Sequence, residues 1–314
     1  MILLLQYTLI FASVLLLVAL GGCFSERSGV INIGLEGVMV MGALGGALVM
    51  KFLPVTVGAP VMILTTIAVS ALFGLVFSLL LAVAAINFKA DQTITGTAMN
   101  MLATAAATVA VKAMNTAASN GSNVSSEIAY TQARELFIVR LGNFEFNWFM
   151  VVAAVALAVS FVQLYKTCFG LRLMACGEHP QAADSVGINV YKMRYAGVLI
   201  SGILGGIGGI VYITAGVSSW KFETGVAGFG FLALAVMIFG SWHPVKIALA
   251  ALLFGFCRAL GNVYSGFDFL LALNIPSVVY NMLPYLISLV VLAFTSKRSR
   301  APKAEGIPYD KGSR

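Results

Sequence analysis

Charge is what this sequence has least of. Only 10% of its 314 residues are Asp, Glu, Lys or Arg, against roughly a quarter in a soluble domain, which needs them to face water. So few cannot coat a chain of this size, so most of its surface must face lipid. Histidine is scarcer still: His179 and His243 are the only two, too far apart in sequence to suggest a His-based metal or catalytic site. The four cysteines (Cys23, Cys168, Cys176 and Cys257) follow no metal-ligand spacing and read as free thiols. Whole motifs are missing too. There is no G-x-x-x-x-G-K-[ST], hence no phosphate-cradling loop on this chain, and no H-E-x-x-H or G-x-S-x-G. Acidic residues inside apolar runs are nearly confined to Glu36, so no Asp/Glu/His relay marks a proton path. A transporter with neither an ATPase motif nor an ion relay takes its energy from a partner. An intramembrane enzyme would need a nucleophile–base pair or a metal cluster, and neither is visible.

What is present is apolar sequence, 60% of the residues, with mean hydropathy +0.96. A bilayer core takes about 20 residues per helix, so the length holds about 8–10 spans and little else. Apolar runs fall at 3–23, 29–50, 59–86, 93–114, 147–166, 195–217, 226–241, 246–265 and 277–296. The expected fold is therefore all-α: a polytopic transmembrane helix bundle forming one domain, 1–296, followed by a basic tail, 297–314. The seventh run is short and Gly-rich, which suits a broken or re-entrant element; the third is long enough to tilt or to include an interfacial turn. The first run ends in Leu20-Gly21-Gly22-Cys23, similar to a lipoprotein cleavage box. It lacks the charged leader of a signal peptide, its first basic residue being Arg27, so it reads as a retained span.

The formal charge of +7 does not form a nucleic-acid patch. Basic residues sit at the ends of apolar runs, where the positive-inside rule places them. The 167–194 loop, with Arg172, Lys192 and Arg194, and the tail, with six basic residues from Lys297 to Arg314, both belong in the cytoplasm. Four spans separate them, an even number, so the two assignments agree. The Asn/Ser/Thr-rich 115–146 segment then lies outside, and counting back puts the N-terminus outside as well. Among the 32 glycines, Gly42/Gly46, Gly202/Gly206 and Gly205/Gly209 have the small-xxx-small spacing that lets helix backbones approach closely.

Two segments stand out. Ser25-Glu26-Arg27-Ser28-Gly29-Val30-Ile31-Asn32-Ile33-Gly34-Leu35-Glu36-Gly37 carries Asn32 and Glu36 into an apolar run. An ionisable group there must face protein or a watery cavity. Glu36 is either a structural lock on loosened backbone donors or a solute contact. The second segment runs from Gly170 to Val190. Within it Pro180 suits a first helical turn and Gly187 a C-terminal stop, leaving Gln181 to Ser185 as a stub roughly 10 Å long. Such a stub is either an ordinary loop helix or a piece that inserts into a groove on another protein.

With a third stretch, Gly228-Phe229-Gly230-Phe231-Leu232-Ala233-Leu234-Ala235-Val236-Met237-Ile238-Phe239-Gly240, these segments resemble the permease subunits of bacterial ABC importers of the branched-chain amino acid/simple sugar group. The Ser25–Gly37 run is most similar to the nucleoside-type branch. The resemblance covers most of the chain and implies a multi-pass protein of the bacterial inner membrane that passes its solute unmodified. It implies three partners: a second, related permease, a cytoplasmic ATPase with duplicated nucleotide-binding halves, and an extracytoplasmic substrate-binding lipoprotein. ATP and magnesium would be bound by the ATPase, and no cofactor by this chain. Carried onto this sequence, the resemblance makes Gly177, Glu178, Pro180, Ala182, Ala183, Asp184, Ser185 and Gly187 a coupling helix that docks on the ATPase. A nucleoside pathway would offer aromatic faces to the base and amides or hydroxyls to the sugar. Polar candidates at or near the spans are Asn32, Glu36, Asn100, Asn262 and Asn281, with Phe231, Tyr264 and Tyr280 as aromatics. A simple sugar, a branched-chain amino acid, and a stand-alone ion-coupled carrier remain as alternatives.

Overall fold

The computed structural model describes residues 2–122, 124–142, 144–215, 217–267, 276–295 and 301–311. In chain order the elements are α1 (Ile2–Arg27), α2 (Leu35–Phe52), α3 (Ala59–Ala82, continued by a π-helical turn to Asn87) and α4 (Gln92–Ala118). Next come β1 (Glu127–Ala129), α5 (Thr131–Glu135), β2 (Ile138–Leu141), β3 (Phe144–Asn147), α6 (Trp148–Lys166), α7 (Cys168–Glu178), α8 (Pro180–Ser185) and α9 (Val190–Thr214). The chain continues through β4 (Ser219–Lys221), α10 (Phe229–Phe239), α11 (Pro244–Val263) and α12 (Ser277–Thr295). All nine apolar runs are helical. Among the described residues, seven helices are long and apolar enough to cross a bilayer: α1, α2, α3 through Asn87, α4, α6, α9 and α11 through Gly266. The helix in the short seventh run, α10, has 11 residues and spans about 16 Å, half the roughly 30 Å hydrocarbon core.

Local chemistry sets where these helices begin. Asp91 accepts from the amides of Thr93 and Ile94 at 2.8 and 2.9 Å, Asn147 from Phe149 at 3.0 Å and Asn189 from Lys192 at 3.0 Å, each meeting donors that a helix start leaves free. Pro60 and Pro244 occupy first-turn positions in α3 and α11, where a missing N–H costs nothing. The centre of the bundle is α9, packed on α1, α2 and α3. Backbones meet there directly: a Cβ on Gly42 would collide with Gly206, and one on Gly74 with the carbonyl of Gly202. Lipid gives apolar side chains no reason to leave it, so this close approach is a main source of helix association.

Cross-chain contacts sort the helix ends into two groups. At one end Gln6 donates to Glu145 (3.2 Å), Asn115 to the carbonyls of Ser125 and Glu127 (2.9 Å each), and Tyr130 to the carbonyl of Ile213 (2.6 Å). The antiparallel pairs β1–β4 and β2–β3 belong to the segments meeting there. At the other end Tyr195 donates to Asn87 (2.5 Å), and Arg27 lies 4.0 Å from Glu178. The first residues of α1 thus share an end with the 119–147 segment, and the 167–189 segment lies at the opposite one.

One region differs from its reading as sequence, and a second shows a contact the sequence did not signal. The 167–194 segment, expected to be a loop with one stub, is largely helical. Thr167 Oγ1 accepts from the Gly170 amide (3.3 Å), and Gly170, Leu173, Cys176 and Gly177 form a buried stripe at helical spacing along α7. The tail packs on the bundle where it is described. Residues 301–311 run back along the bundle, with the Ala304 amide donating to the Gly177 carbonyl (2.8 Å) and Lys89 paired with Asp310 (3.0 Å). The basic stretch Lys297–Arg300 and the last residues from 312 lie outside the described residues.

Candidate functional site

The Ser25–Gly37 run is the turn from α1 into α2, and its polar residues are spent on holding that turn. Ser25 Oγ donates to the Val30 carbonyl (2.7 Å) and Ser28 Oγ to the Ser25 carbonyl (2.6 Å), with Gly29 at φ +95°, where a side chain would be strained. Gln92 and Asn100 of α4 clip the far side. Gln92 accepts from the Ile31 amide (2.7 Å); Asn100 donates to the Ile33 carbonyl (3.0 Å) and accepts from the Gly37 amide (2.8 Å). Asn32, fully buried, donates to Ser201 Oγ of α9 at 2.9 Å.

The same run grips α10 at both ends. Glu36 Oε1 accepts from the Gly228 amide and Oε2 from the Gly230 amide, each at 2.7 Å. The carboxylate therefore caps the start of a half-length helix, where backbone donors and the helix dipole both favour a negative charge. Gly228 has φ +79°, the left-handed turn that lets the incoming chain swing into the helix. Beyond the other end, Ser241 and Trp242 also have positive φ (+52° and +53°), a conformation that costs energy for non-glycine residues and needs outside support. Glu26 and Arg27 supply it: Trp242 Nε1 donates to Glu26 Oε2 (2.6 Å), and Arg27 donates to the Trp242 carbonyl through Nε (3.3 Å) and Nη2 (3.2 Å). At the first turn of α10, Phe229 sits between Tyr212, Phe11 and the Arg258 guanidinium, 4.4, 5.7 and 5.4 Å away respectively.

Above this junction a cavity of about 690 Å³ opens on the flank of α4. It brings together three of the candidates, Glu36, Asn100 and Phe231, and adds Thr97, Thr104, Thr108 and Glu223. With Asn100, the threonines follow helical spacing along one stripe of α4, a signal legible in sequence but not recognised there. Glu223 pairs with Lys112 at 2.6 Å, and that hydrogen bond and charge hold its carboxyl below the usual range. The lining is mainly apolar, with a few polar atoms from an amide, hydroxyls and carboxylates and one aromatic ring, the make-up of a small-molecule site. Among the described residues, no group of three His, Cys, Asp or Glu could hold a metal ion. The other candidates line no part of this cavity. Asn32 is buried in the packed junction, Asn262 is exposed on α11, and Tyr264 stacks on Tyr280 (4.9 Å) near the α11–α12 connection. The side chain of Asn281 lies outside the described residues.

At the opposite side of the junction lies α8. Pro180 stands in its first turn, and Gly187, at φ +84°, closes it by donating to the Asp184 carbonyl (2.9 Å). Ala183 is buried, whereas Gln181, Ala182, Ser185 and Val186 are exposed, Val186 at 74%. Asp184 is half-buried. Gly177 packs so closely on the Arg27 carbonyl that no Cβ would fit, seating the end of α7, with Glu178, against the junction.

The branched-chain amino acid transport system/permease component family matches residues 4–294. The chain belongs to this family. It is 45% identical over 313 residues to the guanosine ABC transporter permease protein NupQ of Bacillus subtilis, covering 98% of this chain and 96% of that one. It is 38% identical over 311 residues to the nucleoside ABC transporter permease protein NupC of Lactococcus lactis, covering 96% and 95%. A further relative, the guanosine ABC transporter permease protein NupP of Bacillus subtilis, is 25% identical over 246 residues, 76% of this chain and 68% of its own. No solved structure gives a significant match.

Proposed function

We propose that this chain is one of two permease subunits of an ATP-driven importer that takes up nucleosides across the bacterial inner membrane. The observation that carries this reading is full-length similarity to permeases named for guanosine and for nucleosides. The cavity supports it, since about 690 Å³ falls in the range of small-molecule sites, roughly 300–1,000 Å³, and its lining offers partners for a base and a sugar. The cavity is open along α4, whose Met101 and Val109 are 74% and 66% exposed. A small-molecule site buries most of its ligand, so a groove open on one flank needs a second wall, and a related but different permease supplies it. That Bacillus subtilis has two guanosine permeases of unequal likeness to this chain favours a hetero-pair.

The second partner is a cytoplasmic ATPase with duplicated nucleotide-binding halves, which binds ATP and magnesium. Its docking groove receives α8 through Gln181, Ala182, Ser185 and Val186. The α8 end of the bundle, with the C-terminal segment, then faces the cytoplasm, and the 119–147 segment faces a substrate-binding lipoprotein outside. The solute crosses unmodified. The test is uptake of labelled nucleosides into vesicles holding this chain, a second permease and the ATPase, with the lipoprotein supplied. ATP-dependent uptake of nucleosides, but not of glucose or leucine, is the expected result. ATP-dependent uptake of a sugar or a branched-chain amino acid would keep the importer and reject the solute. Uptake that survives ATP depletion and falls with the ion gradient would reject the importer.

A further inference from the structure

Residues 301–311 hold no helix or strand, yet five contacts fix them. The Ala304 amide donates to the Gly177 carbonyl (2.8 Å) and the Gly306 amide to the Gly29 carbonyl (3.3 Å). Arg194 Nη1 donates to the Ile307 carbonyl (2.9 Å), and Lys89 pairs with Asp310 (3.0 Å). Tyr309, 4% exposed, meets Tyr191 edge-on at 5.3 Å and joins Cys176, Ala183 and Val190 in a small buried cluster separate from the main core. These four cluster members come from α7, α8, the start of α9 and the C-terminal segment. An element as short as α8 has no stable existence alone, and its buried Ala183 belongs to this cluster. Arg194 is 1% exposed, and among the described residues its Nε and Nη2 have no hydrogen-bond partner, so the Ile307 carbonyl is the acceptor found there for a buried guanidinium.

We propose that the C-terminal segment is the seat of the coupling helix: Tyr309 fills the cavity beneath α8, and Arg194 anchors the segment through Ile307, so both act as positioning residues for energy transfer. The consequence for transport rests on the importer reading above; the seat itself does not. A seated α8 transmits a push from the ATPase to α7 and so to the Arg27 junction, whereas a loose α8 absorbs it.

Two measurements test this. The first is hydrogen exchange over residues 178–190 in the purified full chain, without partners. Tyr309→Ala is expected to raise exchange at the α8 amides several-fold while the middle of α9 stays protected, and Tyr309→Phe to restore native protection. Native-like protection of α8 in Tyr309→Ala would overturn the seat. The second is solute moved per ATP hydrolysed in the assembled transporter. Tyr309→Ala is expected to lower that ratio several-fold with the ATPase still bound, and Tyr309→Phe to recover it; an unchanged ratio would overturn the positioning role. If the native chain binds no ATPase at all, the importer reading fails and the exchange result still decides the seat.

Discussion

At the scale of single residues, Glu36 shows how one carboxylate decides local architecture. Two backbone amides end on it at 2.7 Å, and hydrogen bonds to a charged group contribute about 1.5–3 kcal/mol each. Glu36→Gln keeps one acceptor and loses the charge, so it should destabilise the protein by about 2 kcal/mol, seen as a lower melting temperature in detergent. An unchanged melting point with altered solute affinity would instead make Glu36 a solute contact. The geometry fits both alternatives that the sequence left open for Glu36, since two backbone amides end on the carboxylate and it also borders the cavity. Glu305 gives a pH-dependent case outside the spans. Burial raises its carboxyl above the usual range, and Glu26 faces it in a hydrogen bond. A carboxyl whose docked-state pKa is raised favours docking fully at low pH and loses that contribution as pH climbs through the raised value. Trypsin cleavage at Lys303, relative to Glu305→Gln under the same conditions, should therefore accelerate with rising pH. A constant ratio would contradict this. The proposed coupling stub also divides by residue. Ala182→Trp, on an exposed site, should change stability by no more than about 0.5 kcal/mol and still abolish ATPase co-purification, while Ala183→Trp should disrupt the seat itself.

At the scale of elements, the nine apolar runs were legible because a bilayer imposes length and hydropathy on each. The helix start at Pro180 and stop at Gly187 were legible for an equally local reason. Less local features were not. The pairing of Glu36 with Gly228 and Gly230, or of Glu26 with Trp242, joins residues about two hundred positions apart, and nothing in either neighbourhood signals the other. The helical α7 was missed because its buried stripe is short and faces a surface made partly by the tail. The Gly42/Gly46 and Gly202/Gly206 spacings pointed to close packing, but that Gly42 meets Gly206 emerged only from the fold. Gly206→Leu inserts a side chain where α9 meets α2 and α3 backbone to backbone. Overpacking of this kind costs about 1–3 kcal/mol or more, and the variant should lose its monodisperse peak in size-exclusion chromatography. A native elution profile and melting point would show that the helices separate freely there.

At the scale of the molecule, the Ser25–Gly37 junction joins two regions with different tasks. Toward one side it holds α10 and the cavity through Glu36 and Asn100; toward the other, Arg27 receives α7 and, with it, α8. On the proposed coupling, a rigid-body shift of α8 would reach the cavity through packed backbone and hydrogen bonds rather than through a flexible linker.

The central claim is that energy enters at α8 and opens a path for a nucleoside at α4. It is tested most directly by ATP-dependent uptake of labelled guanosine in vesicles containing the full set of subunits, native chain against Ala182→Trp. The account predicts uptake that requires ATP in the native vesicles and is abolished by Ala182→Trp, with both proteins equally abundant in the membrane. Uptake by Ala182→Trp at the native rate, or native uptake indifferent to ATP, would contradict it.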